Sequence, residues 1–205
     1  MFKVEVIEKG KESIKFSITG LKPGFANALR RIMIFEVPTM AIEWVDIKKN
    51  DSALYDEILA HRLGLIPLSY DRKVYKLPEE AENIDNVKDS TLYCKLVLKK
   101  SGPCMVYSSD LKSEDESVKP IYPNIPIVQL LEGQEIELVA YARLGYGKEN
   151  IKWQGAVVGY SMENDKVTFE VESCSGLKPE EIVEISLEVL EKKLKEFGSQ
   201  ISKIK

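Results

Sequence analysis

Apolar and polar residues alternate over two short stretches at the start of the chain. The alternating apolar positions are Phe2, Val4 and Val6, followed by Ile14, Phe16 and Ile18. Because successive side chains of a strand point to opposite faces, a period of two predicts two half-buried strands. Lys9 and Gly10 lie between the stretches, which predicts an antiparallel hairpin.

The apolar period lengthens to three or four residues between Pro23 and Glu36 and predicts a helix there. Val37-Pro38 ends it, because the residue before a proline disfavours helical backbone. One stripe of this helix carries Phe25, Leu29, Ile32 and Glu36, and Ala28, Met33 and Phe35 widen its apolar surface. A helix that is apolar over more than half its circumference must be covered from two directions. We therefore expect it to pack on its own sheet and on a second body.

A second, longer helix is predicted at the end of the chain. Val167, Phe169 and Val171 form an alternating strand, and Pro179 with two glutamates then opens the helix. Its apolar positions follow a heptad pattern, with steps of four and three: Val183, Leu187, Leu190, Leu194, Phe197, Ile201 and Ile204. From Pro179 to Ile204 such a helix is about 39 Å long, longer than a sheet of a few strands. Part of the seam should therefore overhang its own domain, although a helix packed wholly on its own core is the simpler alternative.

The middle of the chain has a pattern that predicts mostly strands. A strand from Thr39 is followed by a short helix expected at Ala53–Leu63, with Asp51 or Ser52 as its cap. Most of the rest has the pattern of strands. The sequence thus predicts an α+β fold, with residues 1–45 and 161–205 forming one discontinuous domain of antiparallel sheet and two long helices. Residues 46–160 form a β-rich insert domain.

Composition removes several functional classes. The 205 residues are 44% hydrophobic and 30% charged, with no apolar run of the ~18 residues that a membrane span needs. We expect a cytoplasmic protein without membrane contact. The net charge of −4 disfavours a protein that mainly grips phosphates, since that affinity comes from Lys and Arg.

Cysteine and histidine, the residue types that most often bind zinc or iron, are few in this chain. Cys94, Cys104 and Cys174 include no pair at CxxC spacing, and His61 is the single histidine. A zinc ribbon or a four-thiolate iron–sulfur cluster cannot be built from these cysteines alone. We expect no cofactor, no zinc and no iron–sulfur cluster in this chain, and no catalytic residue.

Three blocks of sequence carry a family resemblance. The first contains FANALRR at 25–31, EVPTMAI at 36–42 and HRLGLIPL at 61–68; the others are PIVQLLEGQEIELVAYARLGYGKENIKW at 126–153 and TFEVESCSGLKPEEIVEISLEVLEKKL at 168–194. They resemble the D-subunit family of archaeal DNA-directed RNA polymerases, which is similar to the N-terminal domain of the bacterial alpha subunit and to the third-largest eukaryotic subunit. The blocks cover well over half the chain.

The resemblance implies a scaffold that assembles DNA-dependent RNA polymerase. It implies a dimerisation domain built from both chain ends, which pairs with the small alpha-like subunit L, binds the small subunit N and docks onto the second-largest catalytic subunit. DNA would be contacted only indirectly. By position, the surface facing subunit L would comprise Phe25, Leu29, Ile32, Val183, Leu187, Leu190, Leu194, Phe197 and Ile201. Arg30 and Arg31 match the family's arginine pair, which could anchor a carboxylate or a carbonyl on a large subunit or within the domain.

Two departures from the family pattern matter. Some relatives carry an extra ferredoxin-like domain with an iron–sulfur cluster, and no cysteine-rich insert occurs here. Asn150 replaces a histidine that many relatives have, although asparagine can keep a hydrogen bond. On this basis we expect Leu29→Asp or Leu190→Asp to abolish pairing while leaving the hairpins folded.

Three other functions compete with the scaffold. An enzyme acting alone could use Gly145, Gly147 and Lys148 as a phosphate loop, but their spacing is not GxxxxGK[ST]. A free nucleic-acid-binding β protein could stack bases on Trp44, Trp153, Tyr141 and Tyr146. The net negative charge of the chain disfavours that function. A homodimer in the manner of the bacterial alpha subunit would use the same seam, and the sequence leaves that open.

Overall fold

A computed structural model describes residues 2–80 and 91–203, and it confirms the α+β class. The chain forms two compact units. The split unit comprises Met1–Thr39 and Tyr146–Lys205, and the central unit comprises Met40–Gly145. The sequence placed the boundaries at 45/46 and 160/161 instead. The second of these would cut through a strand that belongs wholly to the split unit's sheet, because its partner strand comes from the chain end.

The split unit is a four-stranded antiparallel sheet with two helices. Its elements are β1 (Lys3–Lys9), β2 (Ser13–Thr19), α1 (Pro23–Phe35), β9 (Ala156–Glu163), β10 (Lys166–Ser173) and α3 (Pro179–Ser202). The strand order is β1-β2-β10-β9, so the two chain ends meet in the middle of one sheet. The predicted hairpin is confirmed, with Gly10 N–H donating to the Ser13 carbonyl at 2.8 Å.

Both helices lie on one face of this sheet. Phe16 of β2 stacks on Phe169 of β10 with ring centroids 5.3 Å apart, and both rings are buried. α3 contacts β10 and β2, whereas α1 contacts β9 and α3. The helix layer therefore covers the central strands, and β1 remains an edge strand with every residue exposed.

The central unit is rich in strands, as expected. It contains β3 (Thr39–Asn50), α2 (Asp56–Gly64), β4 (Tyr93–Ser101), β5 (Cys104–Tyr107), β6 (Lys112–Ser113), β7 (Pro126–Leu130) and β8 (Glu135–Gly145). One sheet has the order β3-β8-β4-β6, and β5 pairs with β7 in a second sheet. A large apolar core from β4, β7, β8 and α2 holds the unit together.

The predicted cap of α2 is wrong. The helix begins at Asp56, three residues later than expected, and neither Asp51 nor Ser52 caps it. The side chain of Asn50 instead accepts from the Ser52 N–H at 3.1 Å and from its hydroxyl at 2.6 Å. This local turn competes with helical backbone and delays the helix start.

Candidate subunit interface

Most of the heptad seam of the last helix, α3, is not covered by the rest of the chain. Pro179, Ile182, Ile185 and Ser186 are buried, and they fix the first two turns of α3 on the sheet. Seam residues Val183 and Leu190 are half-buried. The exposed seam consists of Leu187 (51% exposed), Leu194 (53%), Phe197 (66%) and Ile201 (45%). From Glu191 to Lys203 every described residue is exposed, and Ile204 lies outside the described residues.

α3 is held by its own sequence at its first turn and by two ion pairs to other elements. Pro179 occupies the first turn, and Lys178 N–H donates to the Glu181 carboxylate at 2.7 Å. Lys9 of β1 contacts the Glu180 carboxylate at 2.6 Å, and this hydrogen bond holds the pKa of Glu180 below its usual range. Lys193 pairs with Glu36 at the end of α1. The helix is thus anchored at its first turn and again at Lys193, although every residue from Glu191 to Lys203 is exposed.

The opening helix is more deeply covered than the sequence suggested. Leu29 and Ile32 are each only 4% exposed, because α1 packs against α3 and β9 of its own chain. Two of the predicted partner-facing residues are therefore removed from the surface. Phe25 and Phe35 remain exposed. The apolar surface that α1 offers is therefore limited to Phe25, at the start of the stripe, and Phe35 beside it.

The arginine pair of α1 is divided between two environments. Arg30 is half-buried and donates from Nη2 to the Asn27 side-chain oxygen at 3.3 Å, within the same helix. Arg31 is exposed. The fork of Arg30 is thus partly engaged inside the chain, and Arg31 is the more accessible guanidinium.

The segment from Tyr146 to Ala156 closes the C-terminal end of α1, a role that the sequence analysis missed. Lys148 N–H donates to the Phe35 carbonyl at 3.0 Å, and Gly155 N–H donates to the Ile34 carbonyl at 3.2 Å. These carbonyls lie in the last turn, where a helix cannot satisfy its own acceptors. The end of α1 is therefore held by backbone hydrogen bonds from a distant part of the chain.

Two glycines make this close approach possible. A Cβ on Gly147 would lie 2.8 Å from the Ile34 carbonyl oxygen, and one on Gly155 would lie 2.8 Å from that of Met33. Asn150 stabilises the same segment by accepting from the Lys152 N–H at 3.1 Å. Gly147, one of the glycines that suggested a phosphate loop, is thus required for close packing against α1. The glycine-rich stretch just after a strand was the sequence feature that could have predicted this close approach.

The aromatic residues considered for base stacking do not form one platform. Trp153 is buried, and its carbonyl accepts from the Thr39 hydroxyl at 2.9 Å. Trp44 packs against Tyr93 and Tyr141, with ring centroids 4.9 and 6.1 Å away. Of the four rings, only that of Trp44 belongs to an exposed residue. Their contacts are those of structural aromatics.

The described residues offer little to a metal ion. Within 2–80 and 91–203, no group of three or more His, Cys, Asp or Glu side chains is placed to hold one. Cys94 is buried, Cys104 half-buried and Cys174 exposed, all as free thiols. None of the helices in the part of the chain that the structure describes has the length and apolar character to cross a membrane.

Comparison with known proteins gives one consistent family. Residues 45–159 match the RNA polymerase Rpb3/RpoA insert domain. DNA-directed RNA polymerase subunit Rpo3 of Thermococcus kodakarensis is 49% identical over 160 residues, which are 78% of this chain and 59% of that protein. The Pyrococcus furiosus Rpo3 is 48% identical over 77% of this chain and 58% of the relative.

A third relative aligns over more of both chains. The Rpo3 of Methanosphaera stadtmanae is 41% identical over 188 residues, 88% of this chain and 67% of its own length. The chain therefore spans about three fifths of the first two relatives and about two thirds of the third.

Proposed function

Since this chain belongs to the family of archaeal RNA polymerase subunits named Rpo3 and carries their Rpb3/RpoA insert domain, we propose that it is a non-catalytic assembly subunit of DNA-dependent RNA polymerase. The split unit pairs with the small alpha-like subunit L, and the resulting dimer docks the second-largest catalytic subunit and binds subunit N. DNA is reached only through the assembled enzyme, in the cytoplasm.

The exposed seam of α3 is the observation that supports this proposal most. Leu187, Leu194, Phe197 and Ile201 lie at heptad spacing on α3 and are exposed. Covering apolar surface stabilises a complex by roughly 25 cal/mol per Å², and heptad spacing is the pattern that packs knobs into holes on another helix. The seam therefore suits a helical partner.

Pairing needs no chemistry from this chain. Glu135 and Glu137, which are prominent on β8, form ion pairs with Lys49 at 3.0 Å and with Lys99 at 2.5 Å. Such partly exposed pairs are ordinary features of a solvated sheet face. On the proposal, the chain contributes to nucleotidyl transfer only as part of the complex, and it binds neither zinc nor an iron–sulfur cluster.

The proposal is tested by placing a charge in the seam. Leu194→Asp, co-expressed with an archaeal subunit L, is expected to lose co-purification of subunit L, because pairing would bury an unpaired carboxylate. Leu194 is exposed in the free chain, so the variant should melt within a few degrees of wild type. Retention of subunit L at the wild-type ratio would contradict the proposal.

A matched control is available on the other face of the sheet. Val157 is 54% exposed and Leu194 is 53% exposed. The neighbour of Val157, Val158, pairs with Val171 and is buried on the helix side, so Val157 points to the other face. Val157→Asp should leave subunit L bound. Loss of binding in both variants would mean that the charge acts through solubility and not through the seam.

A further inference from the structure

The edge strand β1 carries an apolar face that its own chain does not cover. Val4 pairs with Ile18 and Val6 pairs with Phe16 across the β1–β2 ladder. Directly opposed residues of an antiparallel pair point to the same face. Val4 and Val6 thus lie on the helix side of the sheet, beside the buried Phe16, yet they are 60% and 61% exposed.

The charges of β1 lie on its other face, except for Lys9, which pairs with Ile14 and contacts Glu180 of α3. Glu5 pairs with Ser17 in the ladder, and its carboxylate contacts Lys3 at 2.9 Å and Lys166 at 3.1 Å. Phe2, 66% exposed, extends the apolar row beyond Val4. The strand is therefore amphipathic, with its apolar side turned toward the helix layer and left open.

The exposed seam of α3 lies on the flank of the helix that turns toward β1. At about 100° per residue, the seam lies about 100° around the helix from the buried stripe at Ile182. Glu180 lies about 60° further in the same direction, and it is the residue that contacts Lys9 at the end of β1. The seam thus sits between the covered sheet and the uncovered strand.

The two surfaces together have the size of an interface. Phe2, Val4 and Val6 with the exposed seam present about 700 Å² of apolar surface, taking roughly 150–250 Å² for a whole aromatic side chain. A monomer's largest patch is about 300–600 Å², and a standard interface takes about 800 Å² from each partner. The exposed seam alone presents only about half of the area that such an interface takes from one partner.

Resting on the proposed pairing, we infer that the partner of the seam lays an amphipathic helix in the angle between α3 and β1, which buries Phe2, Val4 and Val6 as well. α1 and α3 form a helix layer over β9, β10 and β2, and apart from the Lys9–Glu180 ion pair β1 remains exposed beside it. A sheet face is stable when a complete layer covers it. A helix beside α3 would complete the layer and contact the seam with one side and β1 with the other.

This geometry specifies the kind of helix that fits. Because it touches α3 and the sheet at once, its apolar stripe must be at least about 100° wide, wider than the seam of a simple two-stranded coiled coil. Charged residues belong on its remaining side. The occupant is therefore an amphipathic helix with the broad apolar stripe of helices in globular proteins, and it belongs to the chain that covers the seam.

The test measures affinity for recombinant archaeal subunit L, with Val4→Lys and Val6→Lys in β1. Each is expected to weaken binding at least tenfold, because the complex would bury a lysine without a partner. Val157 is 54% exposed on the opposite face of the same sheet, and Val157→Lys should stay within twofold of wild type. Val4→Ala, which only trims an exposed side chain, should weaken binding about threefold.

The outcomes separate this inference from the proposed function. If Val4→Lys and Val6→Lys bind as tightly as wild type while Leu194→Asp does not bind, the seam pairs without β1 and the inference is overturned. If wild type itself does not bind subunit L, the proposed pairing fails and the inference fails with it. If strand addition occurs at the edge instead, Val4→Ala will bind like wild type and the amides of β1 will become strongly protected from hydrogen exchange, which also overturns the inference.

Discussion

Single residues with the same sequence signature take opposite roles in this chain. Leu29 and Leu194 each belong to an apolar helical stripe, and the family resemblance implied that both face the partner. The structure buries Leu29 against the chain's own elements and leaves Leu194 half exposed. Periodicity reveals that a face is apolar, but it does not reveal what covers it, because the covering elements lie far away in sequence.

Gly147 shows the same limit at the level of one atom. Only the fold brings it against the Ile34 carbonyl. We predict that Gly147→Ala lowers the free energy of unfolding by about 2 kcal/mol, since the new Cβ must displace the backbone that closes α1. Gly159→Ala is the control, with nothing within 4 Å of its Cβ, and should change stability by less than about 0.5 kcal/mol. Equal chemical-denaturation midpoints for the two variants would show that the close approach is not as described.

At the scale of elements, α1 and α3 differ in how far their own chain covers them. α1 is enclosed by its own chain, while α3, 24 residues and about 36 Å long, packs over its first half only. The sequence predicted both helices, their proline starts and the length of the second. It could not predict that α1 is enclosed, because Gly147 was considered only as part of a phosphate-loop motif and its contact with α1 arises only in the fold.

This division changes the expectation for Leu29→Asp. A charge at a fully buried position should lower stability by several kcal/mol and unfold much of the split unit, so the hairpins should not remain intact. Leu194→Asp should leave the thermal midpoint nearly unchanged. Circular dichroism melts of the two variants, each without a partner, make the comparison. Equal midpoints would place Leu29 on the surface and contradict the packing of α1.

At the scale of the whole molecule, the chain is one sheet closed by its two ends and one β-rich unit inserted between them. The α+β class and the joining of the chain ends were predictable, because alternation and heptad spacing are local signals. The predicted insert, 46–160, lies within one residue of the matched insert domain at 45–159, whereas the contacts assign β9 to the split unit because it pairs with β10. The partner surface was predicted in part: the seam follows from spacing, but the open face of β1 depends on which strands the helices cover.

The most direct test of the central claim is the light-scattering mass of the chain after co-expression with an archaeal subunit L, with the chain alone as control. The account predicts a stable one-to-one complex whose mass is the sum of the two chains. A monomer that is indifferent to subunit L would contradict it, and a stable homodimer that excludes subunit L would replace it with the alpha-type alternative.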